Sequence, residues 1–336
     1  MSYIKKIIRN AIPYGLVEKR EQRIRFENEN KYLHSIPNSH EPEVFNKYGE
    51  QMRVFYLDDT LGSYSYSFCT GRDSRYIFWD RANKNLNYHF YSHQQILHST
   101  GTPLKKYALL IESEQIVPQD YMIFDKNPGL SKEFDKIFTF SERILEKYDN
   151  ALLYIYGTVW YGTEFGGGKM DPDACLKKSK GVSMVSSGKT MCDLHLKRID
   201  LAKKMSKNPY VDTFGTFDGG SRLEILADAF TDYRYNIAFE NALTRNYFTE
   251  KVMNCFASMT IPIFIGADNI GDFFNADGII QVTPDEALSN MDCILKLCTK
   301  EFYEERISAI IDNYNRVQDY LCPEDYIYKH YNQYFK

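Results

Sequence analysis

Between residues 51 and 160 short apolar runs alternate with amphipathic stretches, and the same alternation resumes after residue 180. The runs Arg53–Leu57, Tyr76–Trp79, Tyr107–Ile111, Lys136–Phe140 and Leu152–Tyr156 have the length and aromatic or branched content of buried strands. Ser141 stands where a helix running to Tyr148 would be capped. In the second half, strands are predicted at Ser183–Ser186, Val211–Phe214, Tyr235–Phe239 and Pro262–Ile265, and helices at Leu194–Met205, 221–229 and 249–259. Helices at 284–299 and 301–321 follow, and the tail from Pro323 is again helical. Strand–helix alternation gives right-handed crossovers and hence parallel sheets. The polar stretch 26–50 reads as a loop, and 161–173, with four glycines and Pro172, reads as a hinge. The fold class is therefore α/β with two facing Rossmann-like domains: 26–160, and 174–322 followed by a C-terminal helix at 323–336. The cleft between them is the expected ligand site.

Residues 1–25 change this picture at one end. They carry seven Lys or Arg against two Glu, and Ile4, Ile7, Ile8 and Ile12 share one helical face before Pro13. Such a basic amphipathic helix suits either an anionic membrane surface or docking on the protein itself. The net charge of −4 excludes a general nucleic-acid binder, so no nucleic-acid partner is expected. The seven cysteines form no CxxC pair, and no apolar run is long enough to span a bilayer. A reduced, cytoplasmic protein is expected, peripheral at the inner membrane face if residues 1–25 bind lipid.

Several signals carry little chemistry. Ser186-Ser187-Gly188-Lys189-Thr190 ends like a phosphate-binding P-loop, but the required first glycine is Ser183. Asp171 and Asp173 flank a proline in a linker, where a capped helix start explains them as well as a metal does. His89, His93 and His98 lack a neighbouring Cys or carboxylate to complete a zinc set. Cys293 and Cys298, on a predicted helix, are read as buried thiols. No metal site and no cofactor are expected.

The informative run is Tyr233 to Gly266, read as strand, acidic loop, helix, strand. Thr249 is a natural N-cap, and the helix start behind it offers N–H groups and a positive dipole end to a phosphate. Lys251 puts a further positive charge where helices prefer acids. A bound diphosphate would explain it; so would a solvated lysine.

Ala238-Phe239-Glu240-Asn241, then Tyr247, Thr249-Glu250-Lys251, Ile261-Pro262-Ile263 and Gly266 resemble the signature of the family 10 α-1,3-fucosyltransferases. The spacing from Asn241 to Lys251 matches without a gap, and the resemblance is clear over about 180–282. It implies a GT-B-type fold and inverting transfer of L-fucose from GDP-fucose to a glycan hydroxyl, here in surface polysaccharide synthesis. The partners implied are a nucleotide-sugar donor and a glycan acceptor. Lys251 and Arg198 would hold the donor diphosphate, Glu250 the ribose hydroxyls, and Asn241 and Tyr247 would line the nucleotide-sugar pocket. Ser186 would sit at the strand end beside it, although Ser187 departs from the family's Asn. Glu240 would order the loop or approach the sugar. Glu112, at the end of an apolar strand in the first half, would be the general base, with Glu114 its competitor. The same scaffold using another nucleotide sugar, and a non-catalytic carbohydrate-binding protein, are the alternatives.

Overall fold

The computed structural model describes residues 51–58, 74–81, 83–160 and 170–336. The basic segment 1–25, the loop 26–50 and most of the hinge, 161–169, lie outside the described residues.

Two parallel sheets are present, as the alternation requires. The first holds six strands in the order β2-β1-β3-β4-β5-β6. These are β1 (Met52–Leu57), β2 (Ile77–Asp80), β3 (Tyr88–Ser92), β4 (Lys105–Leu110), β5 (Lys136–Thr139) and β6 (Ala151–Leu153). The second holds five, in the order β11-β10-β9-β7-β8. They are β7 (Lys180–Ser186), β8 (Val211–Gly215), β9 (Tyr233–Phe239), β10 (Ile261–Ile265) and β11 (Ile280–Gln281). All assigned pairings are parallel. The longer helices are α1 (Glu142–Lys147), α2 (Asp193–Met205), α3 (Glu250–Ala257), α4 (Pro284–Leu295), α5 (Ile307–Val317) and α6 (Pro323–Tyr331).

In each sheet the chain reverses its direction of travel beside its first strand, between β1 and β3 and between β7 and β9. Ligands in open α/β sheets bind beyond the carboxyl ends of the strands at such a switch point. In the second sheet those ends are Ser186–Ser187 and Glu240–Asn241.

Four readings of the second half needed correction. Residues 221–229 are not a helix: Gly219 turns the chain at φ 88°, the Asp218 carboxylate holds the Gly220 amide at 3.1 Å, and only the turn Leu226–Ala229 is helical. The helix at 284 stops at Leu295, because Thr299 caps a fresh turn, Lys300–Glu304. The last helix before the tail accordingly begins only at Ile307. Cys293 is exposed rather than buried, lying on the outer face of α4, whereas burial raises the Cys298 thiol to about 12.

One core runs from the first sheet through Phe248, Met253 and Phe256 at α3, so apolar packing joins the two units. Gly157, after β6, lets this happen: a Cβ there would lie 2.3 Å from the Met253 methyl. The tail returns to the first sheet. Asp325 accepts from Ser74 Oγ and the Arg75 and Tyr76 amides, and Trp79 Nε1 donates to the buried Glu324 at 2.7 Å.

The central strand β3 carries His89, wholly buried against Phe55 with its Nδ1 2.8 Å from the Tyr91 hydroxyl. Burial lowers its pKa to about 4. The unfolded chain takes up this proton near 6.5 and the folded chain only near 4. Its neutral burial therefore favours folding fully above pH 6.5, and that contribution disappears as pH falls through 4. About 3 kcal/mol is at stake. Thermal melts between pH 7 and 4 should fall steeply for the wild type and less so for His89→Phe; parallel curves would refute this.

Candidate functional site

The carboxyl end of β9 delivers Glu240 and Asn241, and the chain then loops to α3. Glu240 is fully buried. It accepts from the Thr249 amide at 2.8 Å, from the Thr249 hydroxyl at 2.8 Å, and from Lys251 Nζ at 3.3 Å. Thr249 thus turns its hydroxyl to Glu240 instead of capping α3. Lys251 Nζ also donates to Glu250 at 3.0 Å and to Thr249 Oγ1 at 2.9 Å. Burial disfavours the ammonium, but Glu240 and Glu250 outweigh it and raise the Lys251 pKa. Burial raises Glu240 despite the lysine, whereas Lys251 overcomes burial and lowers Glu250. The lysine at the helix start therefore has protein partners, which the sequence did not reveal. Its side chain is still 22% exposed, so it can reach a ligand.

Arg198, on α2, points back to the same place. It is buried, donating from one terminal nitrogen to Asn241 Oδ1 at 2.9 Å and from the other to Ser187 Oγ at 3.1 Å. Its buried Nε has no hydrogen-bond partner. Burial lowers its pKa against the pull of Glu240 and Glu250. Asn241 Oδ1 takes a second bond, from His195 Nε2 at 2.9 Å. The backbone amide of Met191 donates to His195 Nδ1 at 3.0 Å, so the ring proton sits on Nε2. Burial, then the Arg198 charge, lower the His195 pKa and favour this neutral form. Ser186 is buried, its hydroxyl making only a 3.5 Å contact with the Ser187 carbonyl. The serine that touches Arg198 is Ser187.

The first sheet faces this cluster through the segment after β4. Glu112 Oε1 accepts the Ser113 amide at 2.8 Å and, across the cleft, the Tyr247 hydroxyl at 3.0 Å. Oε2 has no partner among the described residues. The Glu112 carbonyl accepts the Tyr121 hydroxyl at 2.6 Å, fixing the backbone there. Glu114 turns the other way, pairing with Arg143 of α1 at 3.0 Å. Of the two acids, only Glu112 meets the second unit.

The comparisons with known proteins cover part of this chain. Residues 175–303 match the family described as glycosyltransferase family 10 (fucosyltransferase) C-term. The α-(1,3)-fucosyltransferase fut-1 of Caenorhabditis elegans is 25% identical over 153 residues, 42% of this chain and 34% of that protein. The α-(1,3)-fucosyltransferase FucT of Helicobacter pylori is 35% identical over 52 residues, 16% of this chain and 11% of that protein. The matched stretches thus span about a third or less of these relatives' length. A crystal structure of an α1,3-fucosyltransferase with GDP superposes with a TM-score of 0.47 at 15% identity, covering 86% of this chain and 95% of that one.

Two parallel-sheet α/β units meeting at their strand ends form the GT-B arrangement that the resemblance implied. The matched stretch, 175–303, contains Ser186, Arg198, Glu240, Asn241, Tyr247, Glu250 and Lys251; Glu112 lies outside it. Glu240 orders the loop, being closed off beneath Thr249 and Lys251. Tyr247 is buried against Phe140 with its hydroxyl on Glu112. His195 was missed, although its place three residues before Arg198 put both on one face of α2. The P-loop-like run is a loop, its Gly188 amide held by Thr216 Oγ1 at 3.0 Å. Asp171 caps the turn Pro172–Cys175. Among the described residues no three His, Cys, Asp or Glu side chains group to hold a metal.

Proposed function

We propose that this chain transfers L-fucose from GDP-fucose to a glycan hydroxyl, forming an α-1,3 linkage with inversion at the anomeric carbon. The observation that carries the reading is that one loop, inside the stretch matching family 10, bonds Arg198 through Asn241, Lys251 through Thr249 and Glu112 of the first unit through Tyr247. The acceptor hydroxyl attacks the anomeric carbon from the face opposite the diphosphate, and its proton passes to Glu112 Oε2 as the bond forms. The bond from sugar to diphosphate breaks, and the charge developing on GDP is met by Lys251 and the Arg198 fork. Two fixed cations supply the charge stabilisation a divalent metal would otherwise give, so the reaction needs none. Glu250, which accepts from Lys251 at 3.0 Å, would take the ribose hydroxyls.

No helix among the described residues is long and apolar enough to cross a membrane. The basic segment 1–25 would bring the protein to an anionic membrane surface, where a surface polysaccharide is assembled.

The test is a donor screen. The protein is incubated with GDP-fucose or other nucleotide sugars, glycan acceptors and EDTA, and free nucleotide is measured. GDP should be released from GDP-fucose, dependent on acceptor and unaffected by EDTA. Release from a different nucleotide sugar alone would replace the donor, and glycan binding with no release from any donor would make the protein non-catalytic.

A further inference from the structure

The loop between Asn241 and Thr249 does more than connect β9 to α3. Consecutive residues of it reach the first unit. Thr244 Oγ1 lies 3.5 Å from Gln115 Nε2, and Arg245 Nε donates to Glu142 of α1 at 2.9 Å while its terminal nitrogens hold Asp268 and Asp272 of its own unit. Asn246 Nδ2 donates to the Phe140 carbonyl at 3.3 Å. Asn246 is left-handed, at φ 64°, a conformation a residue with a side chain keeps only where its surroundings impose it. Here Asn269 imposes it: Asn246 N donates to Asn269 Oδ1 and Asn269 Nδ2 to Asn246 Oδ1, both at 2.9 Å. The next residue is Tyr247, its ring 5.0 Å from that of Phe140 and its hydroxyl on Glu112. At its two ends the same loop carries Asn241, which holds Arg198, and Thr249, which holds Lys251.

We propose that Tyr247 is a positioning residue for the general base: its hydroxyl fixes Glu112 Oε1 and aims Oε2 at the acceptor, so the donor domain itself sets the base. This rests on the proposed role of Glu112 and departs from the pocket-lining role that the resemblance implied for Tyr247. The ring is buried and its hydroxyl is directed to Glu112 rather than to a ligand.

The charged and titratable groups about Glu112 are Tyr247 from the donor loop, Tyr121 behind its backbone, and Glu114 paired with Arg143. Asp120 lies beyond Tyr121, and Glu240 and Glu250 beyond Tyr247.

Tyr247→Phe keeps the ring on Phe140 and removes only the hydroxyl. Turnover should fall about 10-fold, with KM for donor and acceptor little changed. GDP affinity should stay within about twofold, and in a Glu112→Gln background the Phe substitution should cost nothing further. Near-normal turnover overturns the proposal, as does lost GDP affinity with turnover intact. Loss of the thermal transition in Tyr247→Phe would make the residue structural and overturn it too. If Glu112→Gln alone keeps its turnover, the base assignment itself falls, which separates the two failures.

Discussion

Replacing Glu112 with Gln should cut turnover by roughly 10²-fold or more and leave GDP affinity within about a factor of two. A sugar hydroxyl is a poor nucleophile unless its proton leaves as the new bond forms, and the cations on the donor side cannot take that proton. Glu112 is the acid that the segment after β4 turns toward Tyr247 of the second unit, with Oε1 engaged and no partner for Oε2 among the described residues. Gln keeps the volume and can still accept from Tyr247, so a loss of rate reports the lost basicity. Glu114→Gln should cost far less, because Glu114 serves an exposed pair with Arg143, the kind of contact worth under about 1 kcal/mol. Rates measured at saturating donor for both variants decide the matter. A dead Glu114→Gln beside a normal Glu112→Gln would reverse the assignment.

The second large effect concerns the diphosphate. Arg198→Ala and Lys251→Ala should each weaken GDP binding by about 2–3 kcal/mol, the scale of a lost charge-assisted bond. Arg198→Lys should fall between, since it keeps the charge but loses the fork that spans Asn241 and Ser187. Lys251→Ala has a second consequence. It strips the buried Glu240 of its cation, and breaking a buried pair costs about 3 kcal/mol of stability. Adding Glu240→Gln to Lys251→Ala should restore the melting temperature without restoring GDP affinity. Recovery of both in the double variant would make Lys251 a purely structural partner of Glu240.

Much of the second unit was legible because its local signals agree. The strands from Ser183 to Ile265 lie within the observed strands, and the spacing from Asn241 to Lys251 carried the family resemblance. The first unit was harder to read. Tyr88–Ser92 mixes His and Ser with aromatics, which hides the pattern of a buried strand. No strand was read there, and the zinc set that its histidine could have joined was set aside; the strand is central, and without it the switch between β1 and β3 stays hidden. The choice between Glu112 and Glu114 was also out of reach, since β4 ends at Leu110 and strand alternation no longer dictates direction beyond it. The Tyr121 hydroxyl on the Glu112 carbonyl sets the turn, a tertiary contact. His195 depends on Asn241, 46 residues away. Lys251 looked unexplained for the same reason: its partner Glu240 is brought back only by the loop.

The central claim is that cations on one sheet and a carboxylate on the other act from opposite faces of a single sugar. The anomeric configuration of the first-formed product tests this most directly. GDP-fucose carries its sugar in β linkage, so NMR spectra recorded as GDP is released should show an α-fucoside accumulating first, with no β product preceding it. A β-fucoside as the initial product would contradict the account, because both groups would then have to work from the same face.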